Sequence, residues 1–157
     1  MNYITTIIDS RYMQLGGFGH IFYDILSSYI IAKIFNIKYV HSPLQSMGNN
    51  HQLTGNGDTS DMITDWDSFL KFNKDELTIN DIKKYNLNTI EINLCKPFTS
   101  IDLNKLDNFI QQHTNTLFIL TQNNRVYLNE IYHNKRDIYN MVFSNLKSKC
   151  LHLKKNR

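Results

Sequence analysis

The sequence predicts an α/β domain in which helices pack against a mainly parallel sheet. Three observations support this: short runs of β-branched residues, longer segments with apolar residues at helical spacing, and the alternation of the two along the chain. A chain of 157 residues can bury enough apolar surface to form a core without disulfides or structural metals.

The N-terminal part predicts a strand, a helix and a second strand. Residues 3–8 form a short run rich in β-branched residues, which is typical of a buried strand. Over residues 21–35 the apolar stripe is so wide that most of the helix surface must be covered. Residues 37–41 predict a second strand, which ends at Ser42 and Pro43. We expect this βαβ unit to be right-handed, with parallel strands.

A long polar segment and two short helices are predicted next. Residues 44–61 are polar and punctuated by glycine, which indicates either a binding loop or a mobile one. We expect Thr64 or Asp65 to cap a short helix that docks on the core through four residues: Trp66, Phe69, Leu70 and Phe72. A further short helix is predicted over residues 80–85.

The remaining chain predicts two strands and two helices. Residues 89–94 alternate between apolar and polar, and an amphipathic helix with Asp102 near its start follows them. Residues 116–121 are apolar on both faces, which favours a central strand. From residue 123 onward the spacing is helical, with a break near His133. Together the elements predict one Rossmann-like domain over residues 1–157, with about four or more strands flanked by helices.

Composition and charge exclude several classes of protein. The net charge of +3 is small, and several of the basic residues lie close to residue 157. We therefore expect a solvated tail and no nucleic-acid partner. Charged residues interrupt the longest apolar stretch, so we expect no membrane span. Cys95 and Cys150 lie far apart and form no CxxC pair, which indicates reduced thiols. The first residues carry no signal-peptide pattern, and we expect a cytoplasmic protein.

A glycine-rich turn between the first strand and the first helix is the candidate site. Its five residues are Gly16, Gly17, Phe18, Gly19 and His20. The N-terminus of a helix leaves backbone N–H groups free to hold an anion or a polar ligand. The spacing matches neither the dinucleotide fingerprint nor the P-loop. Alternatively, the glycines serve only to allow positive φ angles and close packing of the helix on the sheet.

Titratable side chains near this turn suggest acid–base chemistry. His20 is the best-placed candidate for a general base, and Asp24, one helical turn further on, could orient it. Alternatively, His20 is a hydrogen-bonded turn histidine and Asp24 a solvated or capping carboxylate. Parallel strands would bring His41 and His51 to the same rim, where they could bind a substrate. The spacing of these two histidines matches no zinc signature, and we expect neither a metal nor a resident cofactor.

Residues 5–43 resemble the N-terminal opening of fucosyltransferase-like glycosyltransferases of the two-domain GT-B type. That family begins with a strand, a Gly-Gly-hydrophobic-Gly turn, an aromatic-containing helix and a second strand. The matching positions here are Gly16, Gly17, Phe18, Gly19, His20, Phe22, Tyr29 and residues 37–40. The resemblance implies a glycosyltransferase-related, acceptor-side domain whose turn and rim face a glycan hydroxyl.

The resemblance also implies how sugar transfer would be divided between domains. In that family the nucleotide-sugar donor, typically GDP-fucose, is held mainly by a second domain with an arginine-rich motif, which no segment of this sequence matches. We therefore expect one half of a truncated or split enzyme, with little or no activity as an isolated chain. The alternative is a noncatalytic α/β binding or interaction module. An exposed docking face could also favour a homo-oligomer.

Overall fold

The computed structural model describes residues 1–7, 18–43, 60–71, 76–93, 103–121, 133 and 135–155. The strands are β1 (Tyr3–Thr6), β2 (Lys38–His41), β3 (Leu77–Thr78), β4 (Asn88–Asn93) and β5 (Thr116–Thr121). The helices are α1 (Phe18–Ile34), α2 (Ser60–Leu70), α3 (Ile79–Ile82), α4 (Leu103–Gln111) and α5 (Arg136–Lys155). The five strands form one all-parallel sheet in the order β3-β2-β1-β5-β4. This Rossmann-like α/β fold confirms the predicted class.

The direction of each crossover explains which face of the sheet a helix covers. The steps from β1 to β2, β2 to β3 and β4 to β5 all run the same way across the sheet. Right-handed connections therefore place α1, α2 and α4 on one face, here called the helix face. The step from β3 to β4 runs the opposite way, so α3 lies on the other face, here called the crossover face. The two hydrophobic clusters follow this division.

The helix face holds the larger core. Its buried side chains include Ile4, Tyr39, Phe118 and Leu120 from the strands, Ile25, Leu26 and Ile30 from α1, Leu106 and Ile110 from α4, and Val142 and Leu146 from α5. Because α1 lies between the sheet and α5, nearly all of its second half is buried. Each large apolar side chain that is fully buried contributes about 1.5–3 kcal/mol to folding.

Small hydroxyl residues allow α1 to pack closely on β1. Thr6 and Ser28 are buried and hydrogen-bonded to each other through their hydroxyl groups. The Ser28 hydroxyl also donates to the backbone carbonyl of Asp24 at 3.0 Å, and the Ser27 hydroxyl donates to that of Tyr23 at 2.7 Å. These hydroxyl groups are therefore buried with their hydrogen bonds made, which avoids the desolvation cost of an unpaired polar group.

The crossover face holds a smaller core under the connection from β3 to β4. Its strand residues pack against Ile82 of α3, and the Tyr3 ring stacks on Tyr85 with 6.0 Å between ring centroids. α3 begins with a capping box, in which the Thr78 side chain accepts from the Asp81 N–H at 3.4 Å and the Thr78 N–H donates to the Asp81 carboxylate at 2.7 Å. Hydrogen bonds from Thr78 lower the pKa of Asp81.

Asn2, the residue just before β1, bonds to the end of α4, to the connection that follows it and to the start of β5. Its side-chain amide donates to the carbonyls of Ile110 at 3.1 Å and His113 at 2.8 Å. Its side-chain oxygen accepts from the Thr116 N–H at 3.2 Å. One side chain therefore fixes the end of α4 and the start of β5 against the first strand.

Two asparagines adopt the left-handed backbone conformation. Asn36, between α1 and β2, and Asn115, just before β5, both have φ 52°. Asparagine tolerates this region better than most residues because its short side chain can bond locally. The side-chain amide of Asn115 donates to the carbonyl of Asn86 at 2.8 Å, which ties together the starts of β4 and β5.

The described elements differ from the sequence expectations in a few places. β3 was not predicted, because two residues are too short to show any periodicity. α2 begins at Ser60, so Thr64 and Asp65 lie inside the helix and the prediction that one of them caps it is wrong. The predicted third strand is β4, and residues 116–121 are an interior strand as expected. Predictions for residues 44–59, Phe72 and Asp102 lie outside the described residues.

Candidate functional site

The carboxyl ends of the five parallel strands meet at one rim of the sheet. In such folds ligands bind where neighbouring strands are followed by connections to opposite faces. Among the described elements, β2 and β3 form such a pair, because β2 leads to α2 on the helix face and β3 leads to α3 on the crossover face. The last residues of these two strands, His41 and Thr78, lie side by side in the sheet.

His41 is enclosed at this point of the rim. Its side chain is 0 % exposed. The ring nitrogen Nε2 lies 2.9 Å from Asp67 Oδ1 on α2, and Nδ1 lies 3.3 Å from the hydroxyl of Tyr39. This pattern fits a neutral ring in which Nε2–H donates to the carboxylate and Nδ1 accepts from the tyrosine. Tyr39, His41 and Asp67 are here called the histidine cluster.

Burial sets the charge states in the histidine cluster. It lowers the pKa of His41, with Lys71 and Lys149 adding to that direction, although the hydrogen bond and the charge of Asp67 oppose it. Burial also raises the pKa of Tyr39 well above its usual value, and nearby negative charges strengthen this effect. Tyr39 therefore stays protonated at neutral pH and can donate its hydrogen to His41.

Lys149 on α5 holds the end of α2 beside the histidine cluster. Its ammonium group donates to the carbonyls of Phe69 at 2.9 Å and Ser68 at 3.3 Å, and to that of Lys71. The last carbonyls of a helix lack intrahelical partners and carry partial negative charge, so a lysine is favourable there. Burial lowers the pKa of Lys149. By fixing the end of α2, Lys149 helps to position Asp67 against His41.

The predicted catalytic pair lies on α1. Phe18, Gly19 and His20 form the first turn of this helix, and Asp24 follows one turn later on the same helix. Asp24 is partly buried, and its backbone carbonyl accepts from the Thr6 hydroxyl at 3.3 Å, so it lies beside the carboxyl end of β1. The catalytic roles of His20 and Asp24 stay predictions.

Several residues of the predicted site lie outside the described residues. These are Gly16, Gly17, His51 and the side chains of Phe18 and His20. For His41, the described conformation leaves no ring nitrogen facing solvent, so a substrate would have to displace Tyr39 or Asp67 to reach it. Its contact with a substrate stays a prediction.

Three residues of this region were missed from the sequence: Tyr39, Asp67 and Lys149. The spacing of Tyr39 and His41 was a usable signal, because residues two apart on a strand share a face. Asp67 lies 26 residues after His41 and gave no local signal. Nothing in the sequence distinguishes Lys149 from the other lysines of the C-terminal helix, because only its contacts with the end of α2 set it apart.

A small cavity lies away from this rim. It has a volume of about 160 Å³ and is lined mainly by apolar side chains on the crossover face, among them Ile82, Leu87 and Leu117. Leu117 is the second residue of β5, so the cavity lies toward the amino ends of the strands. It is therefore separate from the histidine cluster.

The described ranges contain neither a metal cluster nor a membrane helix. No three histidine, cysteine, aspartate or glutamate residues within them come together as metal ligands. No helix in the same ranges has both the length and the apolar character needed to cross a bilayer. Cys150 is a free, exposed thiol, whereas Cys95 lies outside the described residues. The chain matches no protein-family model, no curated protein and no solved structure.

Proposed function

We propose that this chain is a glycosyltransferase-related domain that binds a glycan acceptor at the carboxyl rim of its sheet, beside the start of α1. The observation that carries the proposal is the position of α1. Its first turn contains Gly19 and His20, and Asp24 lies one turn later next to the last residue of the central strand β1. A histidine and a carboxylate at this spacing suit proton transfer from a bound hydroxyl.

The proposed chemistry is fucosyl transfer to that hydroxyl. His20 accepts the proton of the acceptor hydroxyl while the hydroxyl oxygen bonds to the anomeric carbon of the sugar and the nucleotide diphosphate leaves. Asp24 orients the imidazole. Gly16 and Gly17 let the acceptor approach the backbone closely. GDP-fucose would be held by a separate donor domain, so we expect little or no transfer by the chain alone.

Binding of a glycan acceptor is the first test. Isothermal titration with a panel of mixed glycans is expected to find a ligand for the wild-type chain, and His20→Ala and Asp24→Asn are expected to weaken its binding at least about tenfold. His133→Ala, at an exposed position on the described chain, is the matched control and should leave binding unchanged. Equal glycan affinity of the wild type and His20→Ala would show that His20 does not contribute to the binding site.

Stability separates a functional His20 from a structural one. If His20 acts on a ligand, His20→Ala should change the free energy of unfolding by less than about 1 kcal/mol. A loss above about 2 kcal/mol would instead indicate a buried, hydrogen-bonded histidine. A mass-spectrometric assay with GDP-fucose and glycans tests transfer separately, and robust turnover by the chain alone would contradict the proposed division between domains.

A noncatalytic binding or interaction module is the second candidate. The observation that favours it is the histidine cluster, whose ring nitrogens and tyrosine hydroxyl are engaged within the chain at the point where α/β folds commonly bind ligands. A folded chain that binds no glycan in the panel, and transfers no fucose even with a donor domain added, would favour this candidate.

A further inference from the structure

The two outer strands of the sheet differ in how open their edges are. β3 has only two residues, and short edge strands are a common protection against unwanted pairing. β4 has six residues, and all six are in register with β5 on one side. No described residue pairs with the other side of β4, and the strand contains no lysine or proline to block it.

The backbone groups on the open side of β4 can be identified. The Asn88 N–H donates to the Asn115 carbonyl at 3.0 Å, and the Ile92 carbonyl faces the Thr121 side chain on β5. The N–H and C=O of one strand residue point to the same side, and successive residues alternate. Residues 88, 90 and 92 therefore bond to β5, whereas Thr89, Glu91 and Asn93 point their N–H and C=O groups outward.

We propose that β4 pairs with β4 of a second copy of this chain, antiparallel, about a twofold axis that passes between the two copies of Ile90. In this register Thr89 lies opposite the partner's Glu91, and the outward groups of these residues form four backbone hydrogen bonds across the axis. Each Thr89 hydroxyl can also donate to the facing carboxylate. The two copies of Ile90 meet at the centre, on the helix face, where each is half-buried in the single chain.

The sequence of β4 favours a second copy over an unrelated peptide. A twofold interface must be self-complementary. The order Thr-Ile-Glu meets this condition, because each hydroxyl faces a carboxylate and each isoleucine faces an isoleucine. Thr89 and Glu91 are exposed on the crossover face, so their pairing displaces no core residue. A register centred on Glu91 would instead place two carboxylates directly opposite each other, which is destabilising.

Sedimentation velocity over a range of concentrations tests the proposal on the full chain. We expect a monomer–dimer equilibrium that Thr89→Pro weakens at least about tenfold, because proline removes an outward N–H from each copy while the bonds from β4 to β5 stay intact. Thr89→Ala keeps the N–H and is the matched control, with an expected change of less than about threefold. A wild-type chain that stays monomeric at its highest soluble concentration would overturn the proposal.

Hydrogen exchange tests the same interface without a variant. The amides of Thr89 and Glu91 should exchange more slowly as the protein concentration rises, whereas those of Ile90 and Ile92 should be protected at every concentration. Concentration-independent exchange at Thr89 and Glu91 would refute the pairing. Glu91→Gln tests the register. An axis between the two copies of Ile90 predicts no gain in dimer affinity, and a gain of about tenfold or more would show that the two Glu91 residues face each other.

Discussion

Replacing Asp67 with alanine is expected to destabilise the chain through its effect on His41. The ring of His41 is fully buried, and its Nε2–H donates to Asp67 at 2.9 Å. Without the carboxylate this donor has no partner in the cluster, and a buried unsatisfied donor costs about 1–3 kcal/mol. We expect a loss near 2 kcal/mol in the free energy of unfolding, which is roughly a 30-fold change in the ratio of folded to unfolded protein.

Urea denaturation at pH 7.5 measures this loss, and Asp65→Ala supplies the matched control. Asp65 is exposed on the same helix, so its replacement should change the free energy of unfolding by less than about 0.5 kcal/mol. Equal stabilities of the two variants would refute the view that Asp67 satisfies a buried histidine.

The same pair of variants tests the charge state of His41. Burial lowers its pKa in the folded chain, so as the pH falls the unfolded chain, with a histidine pKa of about 6.5, takes up the proton first. Protonation of His41 therefore does not reduce the free energy of unfolding above about pH 6.5, and it reduces it progressively as the pH falls toward the lowered pKa. Because Asp67 opposes the lowering, Asp67→Ala should lose stability more steeply than Asp65→Ala on acidification. Parallel pH profiles would contradict this.

Substitutions at Lys149, Asn2 and Asn36 test three further features of the fold. Lys149→Met keeps the alkyl chain but leaves three carbonyls, two in the last turn of α2 and one just after it, without their donor, and it should lower the free energy of unfolding by about 1–3 kcal/mol. Lys147→Met, at an exposed position, should cost less than about 0.5 kcal/mol. Asn2→Ala removes three hydrogen bonds that tie the residue before β1 to the end of α4, to the connection that follows it and to the start of β5, for an expected loss of about 2–3 kcal/mol in the same urea assay. Asn36→Gly should raise or preserve the melting temperature because φ is positive there, whereas Asn36→Ala should cost about 1 kcal/mol; a lower melting temperature for the glycine variant would count against this explanation.

The sequence predicted the elements that have a strong period and missed those that depend on the rest of the chain. β1, β2 and β5 were recognised from their β-branched or apolar runs, and α1 from its wide apolar stripe. The start of α2 at Ser60 was misjudged because polar residues in a first helical turn look like the loop before it. The position of β5 between β1 and β4 follows from tertiary packing that no local pattern records.

The candidate site was predictable only in part for the same reason. His41 at the end of β2 could be placed on the rim from the strand pattern alone. Its burial and its bond to Asp67 depend on how α2 lies on the sheet, which is set by the core and by Lys149 on the last helix. A polar residue at a strand end can thus be located from the sequence, whereas its hydrogen-bond partners can be identified only from the folded structure.

The central place of β1 has a consequence for synthesis of the chain. β1 pairs with β2 on one side, which is complete by residue 41, and with β5 on the other, which begins at Thr116. At typical translation rates of 5–20 residues per second, the ribosome needs roughly ten seconds to make the intervening segment. During that time the nascent βαβ unit has an unpaired edge on β1 that will later be the middle of the sheet, and an edge of this kind is open to pairing with other chains.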